Sequence, residues 1–265
     1  MLTPSSFFDL TLFDHKELFA DATFVWEGLQ RLKSYMDGKK YSWEFFSFTP
    51  NEPFTKTTVI YDNTALSTEG LTIDFGDATK GKLKVYQGST QLDGASVIMA
   101  GALFTGDRIH IGKGVLVESG AFIQSPAIIG DQTVVRQGAY MRGYCLIGKK
   151  CVVGHVTEVK HTVFFDGAKA GHFAYLGDSI LGNEVNLGAG TKLANLRFTS
   201  GNVQVKTPKD LIDTGLRKFG AILADHVQTG CNSVTSPGTI LGKKSMLLPN
   251  VTAPSGLHRN HSFIR

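Results

Sequence analysis

Apolar side chains recur at every sixth position across the middle of this chain: Ile111, Val117, Ile123, Ile129, Val135, Met141, Ile147, Val153, Val159 and Phe165. A helix repeats at about 3.6 residues and a strand at 2, so neither produces this period. Gly follows several of the marked positions, as in Ile111-Gly112, Ile129-Gly130 and Ile147-Gly148. A six-residue period marks a parallel β-helix, in which each short strand turns a corner and every sixth side chain enters a continuous core. Three such units close a triangular coil, and residues one coil apart then stack on one face at a strand spacing of about 4.8 Å.

Residues 1–95 lack the hexad pattern and are read as an N-terminal cap or extension, with 96–265 as the solenoid domain. Val25, Leu29, Leu32 and Met36 fall at helical spacing, which predicts one amphipathic helix over 22–37, weakened by Gly28. An aromatic cluster follows (Tyr41, Trp43, Phe45, Phe46, Phe48, Phe54), and 56–62 and 82–87 read as strands. A cap is a physical need, because a bare solenoid end offers unpaired strand groups to other chains. The register is unbroken to Phe165, and the next core set is Leu181, Leu187 and Leu193. That offset is not a multiple of six, so a loop or irregular corner is expected within 166–180. A second interruption covers 197–219, after which hexads return through Leu223, Thr229, Thr235, Leu241 and Leu247.

With 265 residues and 42% hydrophobic content, the chain can bury a large core. No apolar stretch approaches the ~20 residues that cross a bilayer. The N-terminus lacks a basic n-region, which argues against a signal peptide, and the three cysteines read as reduced thiols in the cytoplasm. Cys145, Cys151 and Cys231 are too few for a disulfide framework, and no Cys-x-x-Cys suggests structural zinc. The net charge of +4 permits an anionic small substrate, and no Lys/Arg run suits nucleic acid.

Arg142 and Lys160 lie one coil apart within the regular run and are expected to stack. Two cations at about 5 Å repel by on the order of 1–3 kcal/mol at a surface-like dielectric. A bound phosphate would offset that, and so would splaying into solvent. His172, among small residues in 169–178, has the chemistry of a general base, although a chain with 8 His has other such neighbourhoods. His155 and His161 together with His172 would make a zinc set. Their six-residue separation puts His155 and His161 on different faces, against a shared metal. Gly188-Ala189-Gly190-Thr191, between Asn186 and Asn195, offers either close ligand approach to backbone or a tight corner.

Three runs within 152–196 carry a more specific signal: Val-Gly-His-Val-Thr-Glu-Val-Lys, Lys-Ala-Gly-His-Phe-Ala-Tyr-Leu-Gly-Asp-Ser and Gly-Asn-Glu-Val-Asn-Leu-Gly-Ala-Gly-Thr-Lys-Leu-Ala-Asn. In order and length they resemble the acetyltransferase half of bifunctional UDP-N-acetylglucosamine pyrophosphorylase/glucosamine-1-phosphate N-acetyltransferases. The later run from Asn195 to Ala221 is similar to the archaeal-type branch, and the resemblance covers roughly 95–250. It implies an all-β fold, a left-handed parallel β-helix of hexapeptide repeats, and acetyl transfer from acetyl-CoA to the amine of a hexosamine 1-phosphate.

By the same resemblance, His172 is the base and Asn195 orients the catalytic groups. Arg142, Lys160, Tyr175 and Asn186 hold the phosphorylated amino sugar. Acetyl-CoA lies between subunits of a homotrimer, against Ala189, Cys231 and Pro249, and no metal is called for. The chain departs from the family pattern at three points. The Gly-x-Gly-Thr-Arg-Met signature of the pyrophosphorylase half is absent, so uridylyl transfer is not expected. Leu196 stands where the better-known branch has Tyr. Gly201 and Gln204 occupy the places of two family lysines, with Lys206 nearby as their substitute. Two rival readings remain: an acyltransferase for another amino sugar, or a non-catalytic solenoid that binds sugar phosphate and serves a separate nucleotidyltransferase.

Overall fold

The computed structural model describes residues 2–41 and 50–265. Parallel strands stack into three long sheets, the walls of a β-solenoid. Face 1 begins with Ser96–Ile98 and ends with Phe263–Ile264, face 2 runs from Leu103–Thr105 to Thr252–Ala253, and face 3 from Ile109–Ile111 to Gly256–His258. The chain passes through the faces in that order in every coil. The hexad residues fill the interior: Ile123, Ile129, Val135, Met141, Ile147, Val153 and Val159 are all fully buried.

The register departs from the hexad count at one corner only in this region. Phe164, not Phe165, pairs with Ile147, and Leu181 pairs with Phe164. From Val159 to Phe164, and again from Leu176 to Leu181, the chain turns the corner between faces 2 and 3 in five residues instead of six. Of the two expected alternatives within 166–180, the irregular corner is the one found, at Asp178–Ser179, while Lys169–His172 and Tyr175–Gly177 are regular strands. Phe165, counted above as a core position, turns outward and is covered by Phe8, Phe13 and Phe19, with ring centroids at 4.5, 4.0 and 5.5 Å. The second interruption is real and leaves from the same corner. Residues 197–219 carry the antiparallel pair Gln204–Lys206 and Leu211–Asp213 before the coil resumes at Ala221–Leu223.

Residues 2–41 lie along a side of the solenoid. On face 3, side-chain alternation turns Ile128, Leu146, Val163, Ile180, Ile222 and Ile240 outward as a stripe, and all are buried. The helix Glu27–Asp37 covers that stripe with Leu29, Leu32 and Met36. It runs across the coils: Gln30 donates to the Thr214 carbonyl (2.7 Å), while Asp37 at its far end pairs with Arg108 (2.5 Å). The helix starts five residues later than the apolar spacing suggests, because Glu27 accepts the Thr23 and Phe24 amides (3.1 and 2.8 Å) and closes a turn there. Gly28 is a point of close approach, since a Cβ would sit 2.3 Å from the Phe19 ring.

The expected strands appear as Thr58–Tyr61 and Leu83–Gln87. Thr58–Tyr61 pairs antiparallel with the first strand of face 1, closing that end of the sheet. Leu83 and Val85 pack on Val97, Leu116 and Val134 of face 1. Of the aromatic cluster, Trp43, Phe45, Phe46 and Phe48 lie outside the described residues. Face 2 is left without a covering segment among the described residues.

Phe165 is the clasp between the N-terminal segment and the coil. Phe165→Ala should destabilise the protein by about 3–5 kcal/mol in chemical denaturation and open 8–19 to limited proteolysis. Wild-type stability and protease resistance would show that the aromatic cluster is not what holds the segment.

Candidate active site on face 2 and its first corner

Face 2 carries two outward rows. Phe122, Tyr140, Glu158 and Tyr175 form one, and Gln124, Arg142, Lys160 and Gly177 the other. Arg142 and Lys160 thus occupy equivalent positions on adjacent coils, as their spacing predicts. Their repulsion, however, is relieved within the chain: the Arg142 guanidinium reaches diagonally to Glu158 (2.6 Å) and lies over the Tyr140 ring (5.7 Å to the centroid). The two side chains are 40% and 33% exposed, so this pair adds only about 0–1 kcal/mol of stability. Its effect is to preset the guanidinium. Among the described residues, the Lys160 ammonium makes no ion pair.

Asn195, at the corner between faces 2 and 3, is 9% exposed. Its amide donates to Asp178 Oδ2 (2.6 Å), and its Oδ1 accepts from the Tyr175 hydroxyl (3.4 Å). Gly177 makes room for both: a Cβ there would lie 2.4 Å from Asn195 Nδ2 and 2.7 Å from the Tyr175 oxygen. Burial, then the charges of Glu158 and Asp178, push the Tyr175 phenol above its ordinary pKa, so it stays a neutral donor.

His172 ends the strand Lys169–His172, at the corner between faces 1 and 2, directly beside His155 of the preceding coil. It is exposed, and among the described residues its ring nitrogens make no hydrogen bond. His155 Nδ1 is engaged by the Gln137 carbonyl (2.9 Å), and His161 lies at the other corner of face 2. The same corner continues down the solenoid through Ala189, Cys231 and Pro249. Gly190 N donates to the His172 carbonyl, Asn232 N to Ala189 and Asn250 N to Cys231 (3.0, 2.7 and 2.9 Å). Bare backbone is possible there because a Cβ at Gly188 or Gly230 would strike the next coil. Cys231 is exposed, whereas burial pushes the Cys145 thiol up to about 12 and that of Cys151 further.

Two expected residues stand apart. Asn186 projects from face 1, between Lys169 and Gln228, and is separated from Tyr175 by the His172 corner. Lys206 ends the first strand of the inserted hairpin and backs onto Gly256, about two coils, or roughly 10 Å, beyond Asn195. Glu158 and Asp178 were not anticipated. A signal for Asp178 exists in the chain, for His161, Asp178 and Asn195 recur at seventeen residues, the length of the shortened coil.

Residues 123–251 match the family described as GMPPB C-terminal domain. A bifunctional sugar-1-phosphate nucleotidylyltransferase/acetyltransferase of Sulfurisphaera tokodaii is 41% identical over 97 residues, 37% of this chain and 24% of that protein. The bifunctional protein GlmU of Methanococcus aeolicus is 34% identical over 112 residues, 42% of this chain and 27% of its own length. A putative uncharacterized acetyltransferase, YaiX of Escherichia coli, is 30% identical over 105 residues, 40% of this chain and 46% of its own. The chain thus spans about a quarter of the length of the first two relatives. Among the described residues no helix is long and apolar enough to cross a membrane. Over 123–251 the solenoid therefore matches the GMPPB C-terminal domain, and it is similar to the acetyltransferase half of bifunctional sugar-1-phosphate nucleotidylyltransferase/acetyltransferases.

Proposed function

We propose that this protein transfers an acetyl group from acetyl-CoA to the amine of a hexosamine 1-phosphate, in the cytoplasm, as a homotrimer with sites between subunits. One observation carries the reading: an unengaged imidazole, His172, stands at the head of a small-residue corner and beside a face bearing two stacked cations. The sugar phosphate would lie on face 2 against Arg142 and Lys160. Guanidinium has five donors, so Arg142 can keep Glu158 on one edge and offer another to phosphate. Tyr175 and Asn195 present polar groups to the sugar. The acyl donor would follow Ala189, Cys231 and Pro249 along the corner.

His172 would take the proton of the sugar ammonium. The freed amine attacks the thioester carbon, and backbone N–H or amide donors hold the oxyanion of the tetrahedral intermediate. Collapse expels the thiolate of CoA, and the second proton of the attacking nitrogen passes to that thiolate, leaving the neutral amide and the free thiol. Binding energy at the phosphate fixes the amine near the base. His172→Ala should lower kcat by roughly 10²–10⁴-fold with little change in KM for acetyl-CoA, measured as thiol release with a panel of hexosamine 1-phosphates. A wild-type kcat would remove His172 from the reaction.

Arg142→Ala and Lys160→Ala should each raise KM for the phosphorylated sugar and reduce the rise in Tm that inorganic phosphate produces. Arg142→Lys should restore binding only in part, since ammonium is a single point of charge. Equal phosphate-induced shifts in wild type and both Ala variants would place the phosphate elsewhere.

A second copy would supply the missing wall. Face 3 is covered by the chain's own N-terminal segment, and the early coils of face 1 by the strand Leu83–Gln87, which leaves face 2 and its first corner open. Light scattering at micromolar concentration should give a trimer; an active monomer would refute the shared site. The position of Lys206, two coils from Asn195, favours the second reading, a solenoid that binds sugar phosphate without turning it over. Tight binding of a hexosamine 1-phosphate with no thiol release across the panel would select it.

A further inference from the structure

The corner between faces 2 and 3 holds a buried polar ladder built on successive coils. His161 Nδ1 donates to Asp178 Oδ1 (2.9 Å), and Asn195 Nδ2 donates to Asp178 Oδ2 (2.6 Å). Tyr175 donates in turn to Asn195 Oδ1. His161, Asp178 and Asn195 are 9%, 7% and 9% exposed. One coil earlier the corner is Gly143, at φ 78°, followed by Tyr144, at φ 51°. His161 and Asp178 adopt the same left-handed region, at φ 47° and 48°. That conformation costs a residue with a Cβ roughly 1–2 kcal/mol, and Gly would avoid it. The same conformation recurs at other corners of the solenoid, as at Val156, Phe173 and Glu184, so what sets His161 and Asp178 apart is that their polar side chains are buried and hydrogen-bonded to one another and to Asn195 across successive coils.

From this geometry we infer that Asp178 is a positioning residue for the proposed reaction: by accepting from His161 and Asn195 at once, it turns the Asn195 carbonyl oxygen toward Tyr175 and fixes the polar floor of the sugar site. A carboxylate is suited to this because it accepts at both oxygens. An amide in its place accepts at one and turns an N–H toward the other donor. His161 holds the second oxygen. Its Nδ1 faces the carboxylate and so carries the ring proton, while Nε2 is buried and has no hydrogen-bond partner among the described residues. The Tyr144 ring packs edge-on against the imidazole, with the ring centroids 6.3 Å apart. Asp178 therefore has two donors that cannot easily turn elsewhere.

The inference rests on the acetyltransferase reading for its effect on rate, but the orientation of Asn195 can be read without substrate. With 3-fluorotyrosine at position 175, the fluorine resonance should move in Asp178→Asn in the same direction as in Asn195→Ala. The downfield proton signal of His161 Nδ1–H should disappear in Asp178→Asn and persist in Asn195→Ala. In the thiol-release assay, Asp178→Asn should lower kcat by roughly 10–100-fold, with KM for acetyl-CoA unchanged. Combined with Asn195→Ala it should cost nothing further, because both changes remove one function. Asp178→Ser, smaller and neutral, serves in every arm where the Asn variant does not fold. An unmoved fluorotyrosine signal in the Asp178 variant, or losses that multiply in the double variant, would overturn the inference. A moved signal in a protein that releases no thiol with any hexosamine 1-phosphate would leave the ladder standing and defeat the acetyltransferase reading.

Discussion

Every feature of the candidate site depends on coil-to-coil register. Parallel pairing fixes which residue of one coil lies over which residue of the next, at about 4.8 Å. A change of one residue in coil length would move every later side chain against its neighbours. The solenoid avoids this by taking up its irregularities at the corner between faces 2 and 3, where the turns at His161 and Asp178 are short and the 197–219 segment leaves. The other two corners keep the six-residue step through that region. His172 consequently stays in line with Ala189, Cys231 and Pro249, although an excursion of more than twenty residues separates them in the chain.

The covering segments decide which surface is left for chemistry. A β-helix of this kind has three similar walls, and alternation turns part of each strand outward. On face 3 the outward residues are Ile, Leu and Val, which need cover, and the helix Glu27–Asp37 supplies it. The chain ahead of the helix is held by polar contacts as well: buried Asp225 accepts from the Asp9 backbone amide (2.7 Å), and the Asn183 side chain donates to the Asp9 carbonyl (3.0 Å). On face 2 the outward residues of the middle coils are mostly polar, with Tyr140, Glu158, Tyr175, Arg142 and Lys160 among them and Phe122 stacked on Tyr140. The candidate site thus falls on the wall whose outward side chains are mostly polar.

Charge is arranged in the site with the same economy. Glu158 holds Arg142 without neutralising Lys160, so the face keeps a net cationic spot and an oriented guanidinium. Asp178 is placed where both oxygens are used, and Gly177 leaves the space that lets Asn195 and Tyr175 meet. Three properties of one short strand and its corner follow from this: a missing side chain, a buried carboxylate and a phenol kept protonated by burial and nearby negative charge.

The hexads by themselves determined the solenoid, the interior positions from Ile111 to Val159 and the stacking of Arg142 on Lys160. Those follow from a period that one structure satisfies. The family resemblance in 152–196 singled out His172, Tyr175 and Asn195 as well. Phe165 shows where the count ran out. Phe164 and Phe165 are equally apolar, and only strand pairing decides which one enters the core. The role of residues 2–41 was hidden for a related reason, since an amphipathic helix announces that it needs a partner but not which of three walls it takes. Asp178 and Glu158 read in the chain as ordinary surface acids. Their meaning comes from neighbours seventeen and sixteen residues away, brought within hydrogen-bond reach by the coil. Periodicity is a property of sequence, whereas contact between residues of different coils depends on coil length at each corner, and that only the tertiary structure decided.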